Sequence, residues 1–132
     1  MPSPHDPVQA LPLAEPLYVE PDATLRVVAT RLAVEGVGAL LVDDPEAGLS
    51  IISERDVIDA LAHGADADEV WAADVATQSL RVARPDEPIV EVALAMLDAS
   101  IRHVVVVHGE RAVGVVSIRD VLAPLARAAR GA

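Results

Sequence analysis

An internal repeat constrains this sequence more than any other feature. Residues 53–62 read SERDVIDALA and residues 117–126 read SIRDVLAPLA, an offset of 64 positions (117 − 53). The same offset places residues 21–22 on residues 85–86 without a gap. Because the matches extend over whole halves and include polar positions, they indicate a duplication, and two halves with the same fold are expected.

Hydrophobic periodicity predicts a helix near the start of each half. Apolar residues follow positions 22 and 86 at the spacing i, i+3, i+4, i+7, i+8, which places one apolar stripe on a helix. The stripes consist of Leu25, Val28, Ala29, Leu32 and Ala33 in the first half and of Ile89, Val92, Ala93, Met96 and Leu97 in the second. Asp22 and Asp86 are the expected N-caps, and Pro88 is expected in a first helical turn.

Short β-rich runs follow each helix. Strands are predicted at residues 17–20, 39–42 and 49–53 and, in the second half, at residues 80–83, 103–107 and 112–117. The nearly continuous apolar runs among them predict burial on both faces. A second helix then begins in each repeated phrase, with apolar positions Val57, Ile58 and Leu61, matched by Val121, Leu122 and Leu125. Pro124 should kink or shorten the last helix.

These elements predict an α/β (α+β) fold of two β-α-β-β-α repeats, packed with pseudo-two-fold symmetry. The expected divisions are an irregular proline-rich lead-in over 1–16, a first repeat over 17–64, a linker over 65–79 and a second repeat over 80–130. Neither half is large enough to be secure alone, so packing of the two sheets face to face is expected. Trp71 is expected to anchor the halves.

Composition narrows the classes of function. The net charge is −11, from 21 acidic and 10 basic residues, so nucleic acid and anionic membranes are disfavoured as partners. No apolar run is long enough to span a bilayer, and the N-terminus has no signal-peptide pattern. The absence of cysteine suits a cytoplasmic protein. Neither a metal-ligand spacing among the histidines nor a catalytic arrangement is visible, so no enzymatic activity is expected.

The repeated Ser-x-x-Asp places a hydroxyl and a carboxylate at the start of each second helix. Two interpretations fit this pattern. In one, the helix N-terminus favours a phosphate and the carboxylate accepts from sugar hydroxyls. In the other, the pair is a capping box that satisfies only the helix's own N–H groups.

The whole pattern resembles a tandem pair of CBS domains, also called a Bateman module. The resemblance covers about residues 15–129 and is carried by VGALLVDD with SERDVIDAL, and by IRHVVVV with VGVVSIRDVL. The family's adenosyl signature is Gly, hydrophobic, any, Thr or Ser, any, any, Asp or Asn. Residues 114–120 match every defined position, whereas residues 50–56 carry Ser50 in place of the glycine.

The resemblance implies that AMP, ADP, ATP or S-adenosylmethionine binds in clefts between the repeats. Asp56 and Asp120 would bind the ribose diol, and Ser53 and Ser117 a phosphate or ribose oxygen. The full expected nucleotide-binding set is Ser117, Asp120, Arg102, His103, Val104, Arg119, Ser53, Asp56, Arg55, Ala39 and Thr77. Two positions depart from the family pattern: Val105 replaces a common proline, and Ala76 replaces a methionine.

Charged neighbours distinguish the two motifs. Two interpretations are open for Arg102 and His103: they face a ligand phosphate, or they are a surface arginine and a histidine at a strand edge. The first half has Gly38 and Ala39 at these positions and therefore no cation. The site with Asp120 is therefore expected to bind more tightly than the site with Asp56. Arg55 and Arg119 are each expected to form a salt bridge, for example to the other repeat, rather than to contact an anionic ligand. Tyr18 is expected to be buried rather than to contact an adenine.

The sequence thus predicts a stand-alone regulatory module that binds an adenosyl ligand, forms a homodimer and signals to a protein partner. The alternative is a ligand-free module for dimerisation or interaction, since family members commonly form flat dimers through these helices.

Overall fold

Two three-stranded sheets organise the chain, one for each half of the repeat. In the first sheet, β1 (Tyr18–Val19) lies parallel to β2 (Ala39–Asp44), which pairs antiparallel with β3 (Gly48–Ser53). In the second sheet, β4 (Val82–Ala83), β5 (His103–His108) and β6 (Arg111–Ser117) follow the same order and directions. This computed structural model describes residues 2–77 and 81–131, so Leu80 of a predicted strand lies outside the described residues.

The helices complete a β-α-β-β-α order in each half, which confirms the predicted α+β fold class. The long helices are α1 (Leu25–Glu35), α2 (Glu54–Ala62), α4 (Ile89–Ala99) and α5 (Ile118–Gly131). A short helix α3 (Ala72–Val75) and a 3-10 turn at Val8–Ala10 add structure to the linker and the lead-in. None of these helices in the described part of the chain is long and apolar enough to cross a membrane.

The chain divides into two units that do not coincide with its two halves. One, the continuous unit, is Leu17–Leu80; the other, the split unit, combines Met1–Pro16 with Arg81–Ala132. The segment preceding the first sheet thus belongs with the second sheet, and the linker belongs with the first. This exchange is not visible in the repeat pattern, because the apolar spacing says only which residues are buried, not which sheet buries them.

The lead-in and the linker perform the same task in their respective units. Main-chain oxygens of Val70 and Ala67 accept hydrogen bonds from the first two amides of α1, at 3.0 and 2.9 Å. Oxygens of Asp6 and Pro4 accept from the first two amides of α4, both at 2.9 Å. Each segment therefore satisfies N–H groups that a helix leaves without partners at its start.

The N-caps of α1 and α4 are not the predicted aspartates. Thr24 caps α1, with its hydroxyl accepting from the amide of Val27 at 3.4 Å, and Pro88 occupies the N-cap position of α4. The prediction of Asp22 and Asp86 was wrong because these helices begin only where carbonyls of the lead-in and linker meet their first amides. Sequence alone does not show those acceptors.

Each unit has its own core between the helices and one face of its sheet. The principal core side chains are Leu25, Val28, Leu40, Val42 and Ile52 in the continuous unit and Ile89, Val92, Met96, Val104, Val106 and Val116 in the split unit. Leu41 and Val105 alternate with these strand residues and are also fully buried. The prediction that the central strands are buried on both faces is therefore confirmed.

Several apolar side chains of the predicted helical stripes lie at the surface. Leu97 and Ile58 are each 61% exposed, and Leu61 and Leu122 are nearly half exposed. In each of these helices, fewer residues are buried in the core than the apolar spacing includes. The helices thus present apolar side chains that the chain's own cores do not use.

Three further expectations concern single residues. Tyr18 is 44% exposed, so the expectation that it is buried is wrong, and Trp71, expected to anchor the halves, is 50% exposed. Pro124 does not shorten the last helix, since α5 has 14 residues against nine in α2. Pro124 lies inside α5 and is buried, and the kink expected there stays a prediction.

Candidate functional site

The predicted Ser-x-x-Asp of the continuous unit lies where β3 ends and α2 begins. Ser53 is the N-cap of α2, and its hydroxyl accepts from the amide of Asp56 at 3.2 Å. Oδ2 of Asp56 in turn accepts from the amide of Ser53 at 2.9 Å. The two residues therefore form a reciprocal capping box, and both side chains are half-buried.

The split unit repeats this arrangement where β6 meets α5. The amide of Ser117 donates to Oδ2 of Asp120 at 3.1 Å, and the amide of Asp120 donates to the Ser117 hydroxyl oxygen at 3.3 Å. The Ser117 hydroxyl also donates to Oδ2 of Asp120 at 2.9 Å, a contact not found in the other box. Oδ2 of each aspartate therefore caps its helix, as the capping interpretation of the motif predicts.

The main-chain amides at the start of α2 are mostly satisfied. Besides the two amides of the box, the amide of Glu54 donates to the Gly38 oxygen at 3.0 Å. In α5, the amide of Ile118 donates to the Arg102 oxygen at 2.7 Å. Among the described contacts, only the amides of Arg55 and Arg119 in these first turns have no acceptor. The helix ends therefore offer a ligand fewer free amides than the sequence suggested.

The aspartates, in contrast, keep binding capacity. Capping uses Oδ2 of Asp56 and Oδ2 of Asp120, and the described hydrogen bonds use neither Oδ1 atom. A carboxylate has about four lone-pair positions, so one capping bond leaves room for two hydroxyl donors. Capping and ribose binding are therefore compatible at these residues.

The cations predicted near the boxes are distributed unequally. His103 is the register partner of Ser117, and Arg102 directly precedes it, so both adjoin the box of the split unit. In the continuous unit the register partner of Ser53 is Ala39, which carries no charge. Arg55 pairs with Asp59 one turn along α2, at 3.8 Å, so the bridge lies within its own helix rather than reaching the other repeat.

The remaining predicted residues occupy different surroundings. Thr77 is exposed, and its main chain pairs with that of Ile51 in β3. Ile51 lies two residues before Ser53. Val104 is 2% exposed and lies in the core of the split unit, so its side chain cannot line a site open to solvent. Its strand register places it next to His103, and alternation along the strand turns the two side chains to opposite faces.

A glycine of the adenosyl signature has a packing role in this structure. A Cβ at Gly114 would lie 2.7 Å from Cβ of Leu13 in the lead-in. The equivalent Ser50 is 3% exposed, and its hydroxyl donates to the Val42 oxygen at 3.4 Å. The difference between glycine and serine therefore reflects what each sheet packs against, and the sequence interpretation missed Leu13.

A surface cleft of about 390 Å³ lies elsewhere in the split unit, lined in part by Gln9, Arg84 and His108. His108 ends β5, whereas Ser117 is paired with the start of that strand. The cleft is thus at the opposite end of the sheet from the capping box. It does not coincide with the candidate site.

Comparison with known proteins identifies the duplicated domain. The family model for the CBS domain matches twice, over residues 8–63 and 72–127. The two matches begin 64 residues apart, which is the offset of the internal repeat. They also include the 3-10 turn of the lead-in and the short helix α3 of the linker.

Curated relatives are longer proteins. An uncharacterized protein, MK0525 of Methanopyrus kandleri, is 30% identical over 105 residues, which cover 77% of this chain and 54% of the relative. The uncharacterized protein MJ1225 of Methanocaldococcus jannaschii is 37% identical over 93 residues, covering 70% and 33%. The chain thus spans about half, or less, of the length of these relatives.

Solved structures share the whole fold. The CBS domain pair of protein MJ0100, in complex with 5-methylthioadenosine and S-adenosyl-L-methionine, is 26% identical with a TM-score of 0.76, covering 97% of this chain and 98% of that one. The CBS-domain protein ATU1752 of Agrobacterium tumefaciens is 27% identical with a TM-score of 0.76, covering 86% and 90%. The chain belongs to the CBS domain family and carries two copies of the domain in tandem.

Proposed function

We propose that this chain is a non-catalytic regulatory module that binds an adenosyl ligand and transmits its presence to a protein partner. The observation that carries the proposal is the preserved Ser-x-x-Asp at both strand-to-helix junctions, in a chain whose relative MJ0100 binds two adenosyl compounds. The proposed ligand is AMP, ADP, ATP or S-adenosylmethionine. Because the chain has no cysteine, it suits the reducing cytoplasm, which we take as its location.

The capping boxes support this proposal rather than compete with it. In each box one carboxylate oxygen holds the helix start, which fixes the direction of the other oxygen. A fixed, half-buried carboxylate is suited to accept from both hydroxyls of a ribose without losing further side-chain entropy. Asp56 and Asp120 are therefore the residues assigned to the ribose.

Ligand-induced stabilisation tests the proposal. The melting temperature of the chain is measured alone and with AMP, ADP, ATP, S-adenosylmethionine or methylthioadenosine, with uridine monophosphate as a control that lacks adenine. A ligand at 100 times its dissociation constant adds about 2.7 kcal/mol to the unfolding free energy, a rise of several degrees. The proposal is wrong if every adenosyl compound leaves the melting temperature where uridine monophosphate leaves it.

Self-association is a second proposed property, carried by a separate observation. The helices expose Val34, Ile58, Leu94 and Leu97 by 54–75%. Leu94 and Leu97 lie three positions apart on α4 and so share one helix face, and contiguous exposed apolar patches are typical of surfaces that bind another protein. We assign these faces to a homodimer. Sedimentation analysis should show a dimer that Ile58→Glu with Leu97→Glu converts to monomer; a wild-type chain that is monomeric at all accessible concentrations excludes the assignment.

A further inference from the structure

We propose that the two capping boxes bind adenosyl ligands of different charge. The box of the continuous unit, Ser53 with Asp56, takes an uncharged or cationic adenosyl compound, whereas the box of the split unit, Ser117 with Asp120, takes a phosphorylated one. The inference rests on the proposed function, because it divides adenosyl ligands between the two sites that the function assigns.

Local charge differs between the boxes although their capping geometry is the same. Beside Ser117 stand two arginines, Arg102 and Arg119, both exposed, and neither forms an ion pair among the described residues. Asp120 is the acidic residue of this box, so the formal charge of the three is +1. Two cations without a carboxylate partner are available to a ligand phosphate, which arginine binds in bidentate fashion.

The box of the continuous unit has the opposite balance. Gly38 and Ala39 occupy the positions of Arg102 and His103, and Glu54 stands where the split unit has Ile118. Arg55 forms an exposed ion pair with Asp59, 3.8 Å away on the same helix. Glu54, Arg55, Asp56 and Asp59 sum to −2, a surrounding that repels phosphate and favours a neutral or positive ligand.

The charge of each whole unit acts in the same direction. The continuous unit contains 13 acidic and three basic residues, a net charge of −10, whereas the split unit contains eight acidic and seven basic residues, a net charge of −1. A box that is locally negative thus lies in a strongly negative unit. The electrostatic field of a whole domain adds to that of the nearest charged groups. The continuous unit therefore offers a phosphorylated ligand no electrostatic attraction at its box.

The ligand chemistry divides along the same line. Adenosine monophosphate and its higher phosphates carry two or more negative charges near neutral pH. Methylthioadenosine is uncharged, and S-adenosylmethionine carries a sulfonium and an ammonium against one carboxylate. All contain the ribose diol that the two aspartates can bind, so the groups beyond the ribose decide which box is preferred.

Titration calorimetry with single-box variants tests the division. AMP and methylthioadenosine are titrated into the wild-type chain, Asp120→Asn and Asp56→Asn, because asparagine keeps an oxygen for the capping bond while removing the carboxylate. We expect Asp120→Asn to abolish AMP binding and to leave methylthioadenosine binding within twofold of wild type. Asp56→Asn should do the reverse. Circular dichroism verifies that both variants are folded.

A second pair of variants tests the role of charge itself. Arg102→Gln with Arg119→Gln should weaken AMP at least tenfold, as expected for loss of hydrogen bonds to a charged group, and leave methylthioadenosine unchanged. Arg127→Gln, which removes an exposed arginine farther along α5 and outside both boxes, is the control and should leave AMP binding unchanged. Raising the salt concentration should likewise weaken AMP binding and spare methylthioadenosine binding.

The results separate this inference from the proposed function. If AMP and methylthioadenosine compete for one box, or the same aspartate variant abolishes both, the division by charge is overturned while the adenosyl function stands. If no adenosyl compound binds the wild-type chain, the proposed function fails and the division fails with it.

Discussion

The continuous unit and the split unit have the same fold and different surfaces. Their strands share one order, their helices share one offset, and each has a reciprocal Ser-x-x-Asp box. Their net charges nevertheless differ by nine, since the continuous unit has 13 acidic and three basic residues against eight and seven. Packing thus preserved the apolar positions and the caps, whereas exposed positions were free to change.

The units also differ in how tightly one segment packs on the sheet. In the split unit Ala14 pairs with Val115, and Leu13 lies against Gly114. In the continuous unit Thr77 pairs with Ile51, so Ala76 takes the place of Leu13. Leucine therefore lies against glycine in the split unit, whereas alanine has the corresponding place in the continuous unit.

The largest expected effect comes from exchanging this packing. Gly114→Ser should lower the free energy of unfolding by about 1–3 kcal/mol, because the new Cβ would overlap Leu13 in a filled region. Chemical denaturation followed by circular dichroism measures the loss. Ser50→Gly, the reverse exchange, should cost about 1 kcal/mol or less, from added backbone freedom.

A double variant sharpens this prediction. Leu13→Ala should offset only part of the cost of Gly114→Ser, because alanine removes the Leu13 Cδ1 and Cγ atoms, 2.8 and 3.2 Å from the new Cβ, but keeps the Leu13 Cβ at 2.7 Å. The double variant should then lose less stability than the sum of the two single losses. Strict additivity would show that Leu13 and Gly114 do not interact in the way that the structure indicates.

An intermediate effect is expected at the two serine caps. Ser53→Ala and Ser117→Ala should each cost about 1 kcal/mol, the usual loss for an N-cap. Ser117→Ala should cost more, because the Ser117 hydroxyl also donates to Oδ2 of Asp120 whereas Ser53 makes no matching bond. Thermal unfolding of the two variants in parallel measures the difference, and a larger loss at Ser53 would contradict it.

The smallest effect concerns an ion pair of the continuous unit. Arg26 on α1 donates to both carboxylate oxygens of Asp68 in the linker, with Nη2 to Oδ2 at 3.0 Å. The hydrogen bond from Arg26 lowers the pKa of Asp68 in the folded chain. Since the folded pKa is depressed, the stabilisation is present above the ordinary carboxyl pKa of about 3.9 and is lost as the pH falls through the lowered value.

Arg26→Gln therefore should lower stability slightly near pH 7 and have no effect at strongly acidic pH. Both side chains are more than half exposed, so solvent screening keeps the contribution small. Acid titration of the melting temperature of the wild type and the variant measures the effect. A difference that grows toward acidic pH would show that Arg26 does not stabilise the ionised form of Asp68. The split unit has Val90 and Pro4 at the corresponding positions and should show no such dependence.

Sequence patterns predicted much of this fold because the responsible interactions are local or periodic. The apolar stripe of α1 and the near-continuous runs of β2 and β5 each require a particular secondary structure to bury their residues. A capping box was one of the two interpretations that the sequence left open, since Ser53 and Asp56 are separated by one helical turn. The family resemblance added an expected ligand class, which no spacing could supply.

Other features depended on partners distant in sequence. Helix α4 begins at Ile89 rather than after Asp86 because the Asp6 oxygen, far away in the chain, meets its first amide. Trp71 and Tyr18 are large and apolar enough to suggest burial, yet about half of each side chain is exposed. Hydrophobicity alone could not show this, because burial depends on which surfaces meet in three dimensions.

The sequence by itself determined the duplication, the order of strands and helices, and the positions of the two Ser-x-x-Asp motifs. Only the tertiary structure decided that residues before the first sheet pack on the second, that Gly114 makes room for Leu13, and that each aspartate caps its helix with one oxygen, Oδ2. The reason is physical: periodicity and capping act over one or two helical turns, whereas these decisions come from contacts between segments that lie far apart along the chain.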